Sequence, residues 1–133
     1  MIEILITILL AKIAYTDHKT MKIPNKLNLA IGVCGLVSCI QNTDVGLADR
    51  IIGFLIISVP MYFLCLIIPE AFGGGDIKLM FLVGLVIGYE MSICNIFFAT
   101  FLAFPIALFL LIAKKDNMIP FGPFLSMSAI LLY

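Results

Sequence analysis

The chain has 133 residues, 63% of them hydrophobic and 12% charged, with 11 phenylalanines and no tryptophan. A chain this short cannot hide so much apolar side chain in one core and stay in water, so the surplus must face lipid. Eight lysines and arginines balance eight aspartates and glutamates for a formal net charge of zero, which argues against nucleic-acid binding and leaves the placement of charge as the informative quantity.

Apolar runs separated by short polar breaks occupy 1–16, 27–40, 51–69, 79–89, 91–113 and 118–133, and predict an all-α membrane protein with about six helices in a single domain over 1–133. The first run lacks the basic flank of a signal peptide, Glu3 being its only charge before Lys12, and is read as a structural helix. Runs two and four are 14 and 11 residues long, short of the roughly 20 needed to cross a hydrocarbon core. Either these helices extend into their polar flanks, or the flanks dip into the membrane in watered, protein-lined cavities. Pro60 and Pro105 lie inside the third and fifth runs and predict kinks. The phenylalanines of the fifth run, Phe97, Phe98, Phe101, Phe104 and Phe109, are expected to face lipid or pack. Pro120, Gly122 and Pro123 are expected to shape the lead-in to the sixth helix and to line a cleft there.

Charge sets the expected topology. The breaks after runs one, three and five carry Lys19, Lys22 and Lys26, then Lys78, then Lys114 and Lys115; the other two carry Asp44, Asp49 and Glu90 with Arg50 as the sole base. The positive-inside rule makes the first set cytoplasmic and puts both termini outside a cell membrane crossed several times. Lys12 would snorkel toward the same inner face. Cys34, Cys39, Cys65 and Cys94 all sit in apolar stretches, without a CxxC pair and with His18 the one histidine, so buried free thiols are expected rather than zinc ligands or disulfides. No metal or other cofactor is implied.

Acids beside hydrocarbon are functional candidates by default. Of the eight, Asp17 and Asp76 stand out: each lies on the expected cytoplasmic side, where a helix meets a polar segment, and each adjoins one of the two short runs. Two aspartates brought together in a cleft of low dielectric share a proton, one acting as base and the other as acid. Such a pair activates water and protonates a leaving amine without a metal or a covalent intermediate. Gly73, Gly74 and Gly75 precede Asp76 and leave room for close approach of another backbone. Lys78 is read as an interfacial anchor and Pro24-Asn25 as a helix start. His18 is expected in an exposed loop.

These residues carry a resemblance. Tyr15-Thr16-Asp17 followed by Ile23-Pro24-Asn25 resembles the first signature of the type IV prepilin peptidase family. Gly73-Gly74-Gly75-Asp76-Ile77-Lys78-Leu79 resembles its GxGD element, which presenilin-type intramembrane aspartic proteases share. Ile119 to Leu125, Ile-Pro-Phe-Gly-Pro-Phe-Leu, resembles a third stretch common in bacterial members. The resemblance implies a membrane endopeptidase that removes the leader from prepilins or pseudopilins on the cytoplasmic side. It makes Asp17 and Asp76 the catalytic pair, and gives Gly73, Gly75, Lys78, Pro24 and Asn25 supporting or substrate-binding places. The paired CxxC zinc motifs that accompany N-methylation in larger members do not occur in this sequence, so the resemblance is to the minimal peptidase form. Its implied partners are a prepilin helix and the bilayer. Two rival readings are a small transporter or channel that uses the carboxylates as a proton or cation relay, and a silent assembly partner.

Overall fold

A computed structural model describes residues 1–41, 44–69, 72–113 and 119–133. All regular structure among them is helical: α1 (Ile2–Thr20), α2 (Asn25–Gln41), α3 (Leu47–Ile56), α4 (Ser58–Ile67), α5 (Gly74–Ile112) and α6 (Gly122–Leu132). The helices coincide with the apolar runs, and both short runs extend into their polar flanks. The second run's helix starts at Asn25 and the fourth run's at Gly74, while α1 continues through Asp17 to Thr20. His18 is therefore exposed on the last turn of a helix, not in a loop. Lys114, Lys115 and the start of the sixth run lie outside the described residues.

The third run divides at Ile57, between α3 and α4. Pro60 has no N–H to offer the Ile56 carbonyl, and its ring crowds that same carbonyl, so the predicted kink falls one turn before it. At Pro105 the chain keeps helical dihedrals; the exposed ring is accommodated without a break in the helix. The combined stretch Leu47–Ile67 and the stretch Gly74–Ile112 are each long and apolar enough to cross a membrane.

α5 is not a straight rod. Gly88 has φ 80° and ψ 179°, a left-handed conformation that glycine adopts without a Cβ penalty. Asn95 Nδ2 lies 3.7 Å from Met80 Sδ, fifteen residues away in sequence; a straight helix would hold them about 22 Å apart. The two limbs, 74–87 and 89–112, therefore fold back on one another as a tight hairpin. The boundary expected at Glu90 lies two residues earlier, at the glycine.

Four helical faces build the core. Ile6, Leu10 and Ile13 of α1 meet Ile31 of α2, Met80 and Val83 of α5, and Leu125 and Ala129 of α6, all buried and spaced three or four residues apart on each helix. The exterior is apolar instead, with Phe97, Phe101, Phe104 and Phe109 exposed, Phe101 to 76%. Buried polar residues hold the interior: Ser128 Oγ donates to both the carbonyl and the side-chain oxygen of Asn95, joining α6 to the second limb. Such bonds and close contacts at small residues are what join helices in lipid, where apolar burial gives no advantage. The four cysteines are free thiols, but only Cys34 is buried and Cys94 is exposed, on the outward side of the second limb.

The hairpin end is closed by backbone contact. A Cβ on Gly53 of α3 would lie 2.6 Å from both the Gly84 carbonyl oxygen and the Gly88 carbonyl carbon, so the two helices touch without side chains between them. Arg50, 1% exposed, donates from Nη1 to the carbonyls of Leu85 and Val86 at 3.1 and 3.0 Å and from Nε to the Val45 carbonyl at 3.2 Å. It thereby satisfies the last carbonyls of the first limb.

Candidate active site

The buried faces end on the residues singled out in the sequence. Asp17 is the next position, one turn on, in the α1 series Ile6, Leu10, Ile13, and Asp76 opens the α5 series that continues through Leu79, Met80 and Val83. α1 finishes where α5 begins, so both aspartates reach the end of the bundle away from the Gly88 turn. They are 4% and 7% exposed.

Local structure fixes each carboxylate. Gly73 is the N-cap of α5, and its carbonyl accepts the N–H of Asp76 at 3.0 Å and of Ile77 at 3.3 Å. The Asp76 side chain in turn accepts the Gly73 backbone N–H. Asp76, at the third helical position, thus makes the back-reaching half of a capping box, and Gly73 has no side chain to make the other half. A Cβ on Gly73 would lie 3.2 Å from Asp76 Oδ2. Asp17 accepts the backbone N–H of Gly122, the first residue of α6, where a helix presents unpaired donors.

Gly122 is the point where the two acids meet. A Cβ built on it would collide with the Asp17 carboxylate and lie 3.1 Å from Asp76 Oδ1, so both carboxyl groups lie against the same backbone atom. Asp17 is also a principal charge felt by Asp76. The sequence places Gly122 in the lead-in of the sixth helix, on a cleft there; its contact with both acids depends on how α1, α5 and α6 pack together. The available signal was a glycine set between Phe121 and Pro123 at a helix start, with no turn that demanded one.

The flanking motifs pack on each other. Met21, in a left-handed conformation (φ 52°, ψ 26°), donates its N–H to the Asp17 carbonyl and turns the chain out of α1. Ile23 then sits where a Cβ on Gly75 would come within 3.0 Å of it, which explains a glycine just before Asp76. The Pro24 carbonyl accepts the N–H groups of Leu27 and Asn28 at 3.0 and 3.3 Å, as expected of a helix start. Lys78 Nζ donates to Asn25 Oδ1 at 3.3 Å, tying the start of α2 to the first turn of α5. Lys78 and Asn25 thus touch each other and not the carboxylates.

Both acids open into a cleft of about 680 Å³, whose walls include Met21, Gly74, Thr100, Phe104 and Phe121. It offers two carboxylates, exposed glycine backbone and an apolar wall to whatever enters.

The model of the type IV leader peptidase family matches residues 4–112. The chain belongs to that family. The match takes in Asp17, the Ile-Pro-Asn turn and the Gly-rich start of α5, and ends at the last residue of α5. The prepilin leader peptidase/N-methyltransferase of Bacillus subtilis (strain 168) is 31% identical over 132 residues, covering 94% of this chain and 52% of that protein. The chain thus spans about half the length of this relative. No solved structure matches it.

Proposed function

We infer that this protein is a membrane aspartic endopeptidase that removes the leader from type IV prepilins or prepilin-like proteins at the cytoplasmic face. The observation that carries the reading is the meeting of Asp17 and Asp76 at Gly122, inside an open cleft. One carboxylate, ionised, takes a proton from water as the oxygen attacks the scissile carbonyl; the other, protonated, gives its proton to the leaving amine. The pair exchanges these roles and titrates as a unit, so the proton belongs to both. Exposed backbone at Gly73 and Gly74 leaves space beside the carboxylates for an extended peptide.

Lys19, Lys22, Lys26 and Lys78 lie at the end of the bundle that carries the cleft, whereas Glu3, Asp44, Asp49 and Glu90 lie toward the hairpin end. This sorting supports a cytoplasmic cleft. Placement of both acids at helix ends on an open cleft favours hydrolysis over an ion relay through the bundle.

Co-expression with a candidate prepilin tests the reading. The amino terminus of the pilin should lose the mass of its leader when this chain is present. An intact leader, together with proton or cation flux in proteoliposomes, would support the transporter reading instead.

A further inference from the structure

We propose that the groove beside the α3–α4 break seats the apolar segment of the substrate that follows the scissile bond, and that Phe72 and Phe121 form the threshold it crosses. The proposal rests on the reading of Asp17 and Asp76 as the hydrolytic pair.

A second cavity, of about 400 Å³, is walled by Ile57, Pro60, Met61, Leu64 and Ile96; among the described residues Thr100 is the one hydroxyl on its lining and none is charged. Phe72, Thr100 and Phe121 line both this groove and the carboxylate cleft. The rings of Phe72 and Phe121 stand 6.0 Å apart between centroids, tilted by 53°, so the two spaces adjoin across a pair of aromatic side chains.

The groove has a cause in the fold. α3 is held against α5 through Gly53, Gly84 and Gly88. Beyond the break at Ile57, α4 has only sparse contact with α5, and the gap left between them is this groove. It lies on the stretch Leu47–Ile67, which is apolar enough to cross a membrane, and Leu64 on its wall is 40% exposed.

An occupant that spans both spaces must be polar, with backbone amides, beside the carboxylates and apolar a few residues further on. A lipid acyl chain satisfies the groove alone. A polypeptide that changes from a polar leader to an apolar segment at the cleavage point satisfies both, and the volume of the groove has room for a few apolar side chains. The threshold residues then set which side chains are accepted next to the scissile bond.

The test uses the full chain in lipid nanodiscs and two substrates: a prepilin with its apolar helix, and a soluble peptide that spans the cleavage site and stops before the helix. Met61→Trp and Leu64→Trp each fill the groove. Either should lower kcat/KM for the prepilin relative to the peptide by about tenfold, through KM. Equal loss on both substrates, or none on the prepilin, overturns the proposal. In an Asp17→Asn background, which keeps the substrate intact, benzoylphenylalanine in place of Leu64 should photocrosslink to the prepilin, whereas the same probe in place of the exposed Ile8 should not. Crosslinks only to lipid or to a second copy of this chain also overturn it. If Asp17→Asn still cleaves, the hydrolytic reading fails, while the crosslink separately reports whether the groove is occupied.

Discussion

The two ends of the bundle use the same residue types for opposite purposes. At the hairpin end, Gly53, Gly84 and Gly88 let backbones touch and close the structure, and the buried Arg50 donates to the carbonyls of Leu85 and Val86. At the other end, Gly73 and Gly74 leave backbone exposed, Gly122 brings two carboxylates together, and the space remains open. Glycine and buried charge close space at one end and leave it open at the other. The contrast predicts that substitutions at one end alter activity with little effect on stability, and at the other the reverse.

The largest effect is expected at the acids. Asp17→Asn and Asp76→Asn are nearly isosteric and should each lower leader cleavage by at least about 10²–10⁴-fold, with helical content unchanged by circular dichroism. Gly122→Ala comes next: its methyl group pushes on the Asp17 carboxylate and approaches Asp76 Oδ1, and a misplaced pair should cost about 100-fold in kcat with a small change in thermal stability. Gly53→Ala inverts the pattern. Forcing a methyl into the contact with Gly84 and Gly88 should destabilise the fold by about 1–3 kcal/mol, seen as a lower thermal midpoint in detergent, while the folded fraction keeps its turnover. Lys78→Met removes an exposed bond to Asn25 and should shift stability by less than about 1 kcal/mol. A hundredfold loss of cleavage in Lys78→Met would move that lysine into the chemistry and blur the distinction between the ends.

Much of this was legible in the sequence, for physical reasons. Apolar runs report helices because lipid demands internally bonded backbone, and a carboxylate near hydrocarbon is rare enough to be noticed, which is why Asp17 and Asp76 could be picked out. The helix start at Asn25 followed from the fixed dihedral of Pro24. The polar break at Glu90 marks the turn two residues late, because a hairpin made at one positive-φ glycine, Gly88, needs no polar loop to announce it. Its stability depends on Arg50 and Gly53, some 35 residues away in sequence. For Gly122 the sequence yields a place on a cleft but not the contact with both acids, because that contact is a distance to side chains on α1 and α5 and no local pattern encodes it. Pro105 predicted a kink, yet the chain stays helical there.

The account stands on Asp17 and Asp76 acting as one unit. The most direct measurement is kcat/KM for leader cleavage by the wild type, Asp17→Asn, Asp76→Asn and the double variant, purified under the same conditions. Groups that share one proton and one water are grossly non-additive. The two single variants and the double variant should therefore fall to the same residual level. Cleavage within about tenfold of wild type by either single variant, or a double variant whose loss is the product of the two, would contradict the shared-pair mechanism.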